Sequence, residues 1–568
     1  MYFNSEGTNE VSYDAIVIGS GISGGWAAKE LSEKGLKTLV LERGRMVRHG
    51  EYPTANMEDW ELPNRNRMTP EQMKEYKIQE RTGYTMSPAY QHWWPKDTEN
   101  PYTETKPFDW IRAYHVGGRS LLWGRQSYRL GDLDFEANAK DGIAVDWPVR
   151  YKEIAPWYDY VESFIGVSGQ NEGLKQLPDG KFLPPMEYNC VELDVKKKLK
   201  EKMGRDIIMG RTAHITSEGG HNGRGTCQTR NRCMRGCPFG AYFSSNASTL
   251  PAAEATGNMT IRPFSIVTEI ILDASGKKAK GVRIVDAETK ETKEYYAKII
   301  FMCASTFGST QILLNSTSER FPEGMGNESG ELGHNVMDHH FRLGASGKSD
   351  EFKDKFYKGR RPTGIYIPRF RNIDAASKMP NFIRGYGYQG GGSREGWGRY
   401  IAEAEYGKGL KDALSKNGDW SFGITAFGEC LPYHENKISL NKDLKDIYGL
   451  PTLIMDAEWK TNELEMRKDM MASAAEMLEA GGLKDVHTYD SGCNPGLGIH
   501  EMGTARMGKD PKTSVLNKWN QIHSVPNVFV TDGSFMTSAG CVNPSLTYMA
   551  FTARAANFAI EELKKGNL

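Results

Sequence analysis

The first segment of the sequence that could do chemistry begins at residue 13, where glycines are spaced to hold a pyrophosphate. The apolar run 13–18 leads into Gly19, Gly21 and Gly24 in the pattern GxGxxG. Gly19 permits a tight turn, Gly21 lets the backbone approach a pyrophosphate, and Gly24 lets a helix pack on a strand. Glu42, 18 residues past the last of these glycines, could accept hydrogen bonds from a ribose. Because strand, glycine turn, helix, strand and acid occur together at the N-terminus, the segment predicts a dinucleotide site and favours FAD over NAD.

A second segment carries three cysteines within eleven residues. Cys227, Cys233 and Cys237 follow the spacing C-x5-C-x3-C and precede a proline. Thiolates are the usual ligands of iron–sulfur clusters, so the spacing is compatible with a cluster held by three cysteines. Zinc is disfavoured because there is no CxxC pair and no fourth ligand at ordinary spacing.

Two further motifs lie near the C-terminus. Residues 500–508 read His-Glu-Met-Gly-Thr-Ala-Arg-Met-Gly, and an apolar run at 528–530 leads to an Asp-Gly-Ser turn at 532–534 and an Asn-Pro pair at 543–544. With these motifs the chain resembles the glucose-methanol-choline (GMC) oxidoreductases, flavin enzymes that oxidise alcohols and sugars. The resemblance also covers the blocks 116–124, 261–267, 299–316 and 333–339, whereas 345–495 match only loosely.

The resemblance implies a catalytic pair. Oxidation of an alcohol sends a hydride to the flavin and needs a base for the hydroxyl proton, a task that suits histidine. His500 takes the position of the family's catalytic histidine, and Asn543 takes the second position, which is His or Asn across the family. Asparagine can orient the substrate oxygen but cannot accept its proton, so His500 is the expected base. The other histidines, His339, His340, His214 and His221, are expected to be structural.

The resemblance also implies a set of FAD contacts. Beyond the glycine motif and Glu42, the family positions fall on Gly117, Gly118, Ser120, Trp123, Val267, Asp532, Gly533, Asn543, Pro544 and Thr547. The sequence departs from the family pattern at Arg119, where a small residue is usual, and at Trp123, where Asn or His is usual. A related group bonds its flavin through a histidine at the offset occupied here by Leu122, so FAD is expected to be bound non-covalently.

The cysteine spacing resembles that of bacterial FAD-dependent glucose and fructose dehydrogenases, in which three cysteines hold a three-iron cluster. This implies a 3Fe–4S cluster on Cys227, Cys233 and Cys237. Other branches of the family carry a similar cysteine stretch without a cluster, so purely structural cysteines are the alternative.

The implied function is an FAD-dependent dehydrogenase that oxidises a sugar or glycoside. The branch that the chain resembles most is the glucoside 3-dehydrogenase type, which gives 3-keto-sugars. Glucose, gluconate and fructose dehydrogenases are the alternatives, followed by an oxidase of the pyranose oxidase type and a non-catalytic flavin electron-transfer subunit. Because the sequence has no CxxCH motif for c-type haem, a separate electron acceptor is implied, such as a cytochrome subunit. Related dehydrogenases can be exported with a signal-bearing partner, so the resemblance also implies a small signal-bearing subunit.

The strand, glycine turn and helix at the start of the chain, together with the resemblance, imply an α/β fold. We expect a Rossmann-like FAD-binding domain assembled from 12–150, 225–345 and 495–568. The segments 151–224 and 346–494 are expected to form a substrate-binding domain with a mostly antiparallel sheet and helices.

Composition excludes several other functions. The 568 residues carry 72 Lys and Arg against 72 Asp and Glu, so the formal net charge is zero and argues against binding nucleic acid by bulk charge. No apolar run reaches 18 residues, so no membrane-spanning helix is expected. Residues 1–14 lack the basic and apolar regions of a signal peptide, which leaves both the cytoplasm and export with a partner subunit open.

Overall fold

The glycine turn joins the first strand to the first helix. In the computed structural model, which describes residues 11–77, 79–82, 87–356, 361–396 and 406–568, Ser12–Ile18 forms β1 and Ile22–Glu33 forms α1. The apolar residues of β1 are buried because the strand lies in the middle of a sheet, paired in parallel on both sides. Gly35 follows α1 with a φ of +86°, which a glycine adopts without steric cost.

The largest sheet has eight strands, five of which form one parallel run. Its parallel part runs in the order β18-β8-β1-β2-β5, and β6 and β7 extend it in antiparallel pairing from β8. The bounds are β2 Thr38–Leu41, β5 Met259–Arg262, β6 Ser265–Leu272, β7 Ala279–Asp286, β8 Thr292–Met302, β17 Gln521–Ile522 and β18 Val525–Val530. A parallel sheet of this kind binds its ligand at the carboxyl ends of its strands.

The second sheet has seven strands and is antiparallel, in agreement with the prediction. Its order is β16-β10-β13-β12-β11-β4, with β9 beside β13. The bounds are β4 Ile208–Met209, β9 His339–His340, β10 Leu343–Ser349, β11 Ile365–Ile367, β12 Tyr386–Arg394, β13 Trp420–Glu429 and β16 Lys484–Asp490. The helices α6 (Cys190–Met203) and α10 (Thr461–Ala480) pack apolar side chains against this sheet and form the second core of the molecule.

Three further strands and the remaining helices complete the fold. β3 (Thr103–Glu104), β14 (Lys437–Lys445) and β15 (Pro451–Asp456) form the third sheet. The other helices are α2 Pro70–Glu75, α3 Asp132–Phe135, α4 Ala137–Asp141, α5 Tyr151–Ile165, α7 Thr249–Glu254, α8 Thr306–Asn315, α9 Gly407–Ser415 and α11 Ser545–Lys564. Among the described residues, no helix combines the length and the apolar character needed to cross a bilayer.

The division into two domains stays a prediction. The eight-stranded sheet draws only on the segments predicted for the FAD-binding domain, but the predicted boundary at 345 falls inside β10. The expectation that the chain begins without a signal peptide rests largely on residues 1–10, which lie outside the described part of the chain.

Candidate active site

The three motif glycines differ in the atoms that a Cβ would contact at each position. At Gly19, with a φ of +94°, a Cβ would lie 2.4 Å from the carbonyl oxygen of Cys303. At Gly24 it would lie 1.9 Å from the carbonyl oxygen of Gly19. At Gly21 the nearest atom is the Gly117 oxygen at 4.0 Å. The first and third glycines therefore serve packing of the protein itself, whereas the second keeps open space for a ligand at the start of α1.

That open space belongs to a cavity of about 420 Å³. Of the predicted site residues, those that line it are Gly19, Gly21, Glu42, Gly118, Ser120, Trp123, Val267, Asp532, Gly533, Asn543 and His500. Gly24, Gly117, Pro544 and Thr547 are not among its lining residues. The structure thus brings most of the predicted set to one cavity, although their contacts with FAD stay a prediction.

Besides Gly24, two of these four residues have identifiable structural roles. Gly117 has a φ of +88°, and a Cβ there would lie 1.6 Å from Oδ1 of Asn246. The hydroxyl of Thr547, in the first turn of α11, lies 2.7 Å from the Tyr158 hydroxyl. Both residues support the wall of the cavity from behind.

Glu42 lies directly after β2 and is held by the glycine turn. Its carboxylate accepts hydrogen bonds from the Ser20 hydroxyl at 2.5 Å, the Ser20 amide at 3.2 Å and the Gly44 amide at 3.0 Å. Burial raises the pKa of Glu42, and these hydrogen bonds oppose the rise. A carboxylate has about four acceptor positions, so Glu42 keeps capacity for a ribose hydroxyl.

The residues therefore fit FAD. The cavity reaches from the glycine turn and Glu42 to His500 and Asn543. The buried hydroxyl of Tyr548, also in its lining, has no hydrogen-bond partner in the described part of the chain and is available to a ligand.

His500 and Asn543 form a hydrogen-bonded pair. Nδ2 of Asn543 lies 3.3 Å from Nε2 of His500. The pair joins separate parts of the chain, because His500 follows β16 and Asn543 lies two residues before α11. On its other side, Oδ1 of Asn543 accepts a hydrogen bond from Nε2 of Gln389 in β12 at 2.8 Å.

His500 has a second neighbour, His339, which was expected from the sequence to be structural. Nδ1 of His339 lies 2.8 Å from Nδ1 of His500, and Nε2 of His339 lies 2.8 Å from the carbonyl oxygen of Gly540. Burial, together with His339 and the Arg119 guanidinium, lowers the pKa of His500 well below 6.5. His500 is therefore neutral at neutral pH and able to accept a proton.

Asp338 fixes the loop that carries His500. Its Oδ1 accepts hydrogen bonds from the amides of His339 at 2.8 Å and His500 at 3.1 Å. Its Oδ2 accepts from the amides of Gly496 at 2.8 Å and Gly498 at 2.9 Å. Burial, with Glu501 nearby, raises the pKa of Asp338 to about 7.

The departure from the family pattern at Arg119 has a structural explanation. Its guanidinium pairs with Glu501 at 2.8 Å and donates to the Ser305 hydroxyl at 2.7 Å. Glu501 directly follows His500, so this partly buried pair ties the Gly-Gly turn to the loop that carries His500. Arg119 stands out in the sequence as a departure from the family pattern, but its partner is 382 residues away and is not recognisable there.

The cysteines do not fit a metal as they are placed. Cys227, Cys233 and Cys237 are partly buried free thiols, and Sγ of Cys233 lies 3.7 Å from Nε2 of His214. Within the described ranges, no three His, Cys, Asp or Glu side chains form a group that could hold a metal ion. The predicted iron–sulfur cluster thus finds no support here, and we derive no electron-transfer step through it.

Two family models and several known proteins match this chain over most of its length. The family models described as GMC oxidoreductase match residues 13–341 and 432–552. A 2-methyl-1,2-propanediol dehydrogenase of Mycolicibacterium austroafricanum is 30% identical and covers 96% of this chain, which in turn covers 94% of that protein. The fructose dehydrogenase large subunit of Gluconobacter japonicus is 27% identical, with 98% and 99% covered.

Solved structures share the fold. A formate oxidase of Aspergillus oryzae RIB40 superimposes with a TM-score of 0.61 at 13% identity, and each chain is covered completely. At this level of identity the likeness concerns the fold alone.

Proposed function

The chain belongs to the GMC oxidoreductases, FAD-dependent enzymes that act on CH–OH groups, and from this premise we propose that it is a dehydrogenase of sugars or glycosides. The best candidate reaction is oxidation at C3 of a glucoside to a 3-keto-sugar. The observation that carries the proposal is the pair of His500 and Asn543 in the lining of the predicted FAD cavity.

The chemistry follows from the pair. Bound FAD supplies the hydride acceptor. Nε2 of His500 accepts the hydroxyl proton of the substrate, while Nδ2 of Asn543 donates a hydrogen bond to the substrate oxygen and orients it. The substrate loses one hydride from carbon and one proton from oxygen, and its C–O bond becomes a carbonyl. The same FAD would be held by the glycine turn, Glu42 and the Asp-Gly turn at 532–533.

Trp123 and Leu122 support non-covalent attachment. Both line the cavity, and neither carries a group that bonds to a flavin in the way the histidine of the related group does. Nε1 of Trp123 donates to the carbonyl oxygen of Phe243 at 2.9 Å, which fixes the indole in the cavity wall.

The alternative substrates are glucose, gluconate and fructose. Fructose is favoured by the likeness to a fructose dehydrogenase large subunit over nearly the whole chain. The name of that relative also supports a partner, since it describes one subunit of a larger enzyme. We propose an external electron acceptor, such as a cytochrome subunit, and a small signal-bearing subunit. The iron–sulfur cluster remains outside this proposal, and iron analysis of anaerobically purified protein tests it.

The test is anaerobic bleaching of the flavin by a panel of methyl glucoside, glucose, fructose and gluconate. We expect the glucoside to reduce the flavin fastest, a dye to be reduced on turnover, little peroxide to form in air, and NMR of the product to show a ketone at C3. Faster reduction by fructose would favour the alternative. Stoichiometric peroxide would show an oxidase, and no reduction by any member of the panel would refute a sugar substrate.

A further inference from the structure

His339 lies on the side of His500 that faces away from Asn543, and its own hydrogen bonds have a fixed direction. A backbone carbonyl only accepts hydrogen bonds. The contact between Nε2 of His339 and the Gly540 oxygen at 2.8 Å therefore places the His339 hydrogen on Nε2.

The remaining nitrogen of His339 must then be an acceptor. Burial lowers the pKa of His339 to about 4, so the ring is neutral and carries one hydrogen only. Nδ1 of His339 has a lone pair, and the atom 2.8 Å away, Nδ1 of His500, must donate to it.

The same assignment is reached from the other side of His500. Nε2 of Gln389 donates to Oδ1 of Asn543 at 2.8 Å, so Nδ2 of Asn543 faces Nε2 of His500 at 3.3 Å. An amide nitrogen only donates, so Nε2 of His500 is again the acceptor.

We propose that His339 is a positioning residue that holds the proton of His500 on Nδ1 and thereby keeps the lone pair on Nε2, where the substrate hydroxyl is bound. The inference rests on the proposed function, since it refines the role of His500 as base. When Nε2 of His500 takes the proton, its Nδ1–H bond to His339 becomes charge-assisted and stronger. His339 thus also stabilises the imidazolium that forms.

Without this acceptor, only the contact between Nδ2 of Asn543 and Nε2 of His500 still favours the proton on Nδ1. The tautomer with hydrogen on Nε2 becomes populated, and that form cannot accept a proton from the substrate. It can still form a hydrogen bond with the substrate oxygen, so binding of the substrate should change less than the reduction step.

The test compares three variants. His339→Leu removes the acceptor. His339→Asn keeps an amide oxygen close to the position of Nδ1. His340→Leu is the matched control, because His340 is the next residue in β9, is equally buried, and has ring nitrogens without a hydrogen-bond partner among the described residues.

In stopped-flow flavin reduction, His339→Leu should lower the limiting rate roughly 10- to 100-fold, a part of the ~10²–10⁴ of a complete general base. The apparent substrate dissociation constant should change less than threefold. His339→Asn should recover most of the rate, and His340→Leu should match the wild type, all with full FAD content.

A second readout does not use turnover. Diethyl pyrocarbonate acylates an imidazole nitrogen that carries a lone pair, and mass spectrometry of the peptide containing His500 measures the extent. Acylation of His500 in the holoenzyme should be slower in His339→Leu than in the wild type and restored in His339→Asn.

Wild-type rates in His339→Leu would overturn the inference, and so would an Asn variant as slow as the Leu variant. His500→Ala is measured alongside. If it also reduces the flavin at the wild-type rate, the role of His500 as base in the proposed function fails together with the inference; if it is slow while His339→Leu is not, the inference alone fails.

Discussion

The carboxylate of Asp338 accepts a hydrogen bond from the backbone amide of His500 at 3.1 Å. The position of the loop that carries His500 therefore depends on an acid 162 residues earlier in the chain. The same carboxylate accepts three further hydrogen bonds, from the backbone amides of His339, Gly496 and Gly498. A buried carboxylate that receives four N–H donors acts as the clamp between β9 and the loop after β16.

Asp338→Asn should loosen that loop. The amide nitrogen of Asn would face N–H donors, and each buried group left unsatisfied costs about 1–3 kcal/mol. We expect faster hydrogen exchange in the peptide that spans 494–502, measured by mass spectrometry, with lower activity. Asp350→Asn is the control, since Asp350 is an exposed partner of Lys484. Unchanged exchange in the Asp338 variant would contradict the clamp.

Replacement of His500 should impair chemistry and spare the cofactor. His500→Ala should keep FAD bound, because the glycine turn and Glu42 lie at the other end of the cavity, and should slow flavin reduction by roughly 10²–10⁴. His500→Asn should be similarly slow, since it keeps a hydrogen bond but no base. Asn543→Ala should lose less. Anaerobic stopped-flow measures all three, and near wild-type reduction by His500→Ala would place the base elsewhere.

The pH dependence of flavin reduction should be flat through neutrality. The pKa of His500 is lowered well below 6.5 by burial, His339 and Arg119. The base is active when unprotonated, so its activity is retained as pH falls through 6.5 and is lost only below the lowered pKa. We expect a constant limiting rate between about pH 6.5 and about pH 8.5, whereas an unperturbed histidine would be half protonated near pH ~6.5. A midpoint near 6.5 would show that His500 is not buried in this way.

Two glycine variants should have opposite effects. In Gly21→Ala the new methyl group projects into the cavity with no atom closer than 4.0 Å, so the FAD-free protein should keep its thermal stability while FAD affinity falls. In Gly24→Ala the methyl group would lie 1.9 Å from the Gly19 oxygen, so the protein itself should be destabilised by about 1–3 kcal/mol or more. Reconstitution with FAD and thermal melting of the FAD-free protein distinguish the two. Normal FAD binding by Gly21→Ala would contradict the assignment of the phosphate site.

FAD should leave the protein on denaturation. The segment Leu121, Leu122, Trp123 offers no histidine to the flavin. After acid precipitation, the yellow colour should remain in the supernatant, and no tryptic peptide should carry the mass of FAD. A flavinylated peptide would refute non-covalent binding.

The sequence alone predicts those features whose residues lie close together along the chain. The roles of Gly19, Gly21 and Gly24 follow from a spacing of a few residues, and their surroundings in the structure match those roles. The strand, glycine turn, helix and second strand within 13–42 are equally local and predict the α/β class, whereas the antiparallel second sheet was expected from the family resemblance.

The rest of the site depends on contacts between distant segments. His339 lies 161 residues from His500, and Gln389 lies 154 residues from Asn543, and no periodicity links either pair. The block containing Asp338 and His339 was noticed by resemblance, yet His339 was expected to be structural. For the cysteines the opposite holds, because suitable spacing along the chain did not produce a metal-holding arrangement in space.

The hydrogen bond from Gln389 to Asn543 has a consequence for engineering. Gln389 belongs to a central strand of the antiparallel sheet, and this strand lies in the segment predicted to bind the substrate. A chimera that takes this sheet from a relative would also exchange the residue that sets the orientation of the Asn543 amide. If the donor lacks a glutamine at the same register, the exchanged sheet would therefore also alter the pair formed by His500 and Asn543. Turnover and substrate selectivity could then not be adjusted independently by exchanging this sheet.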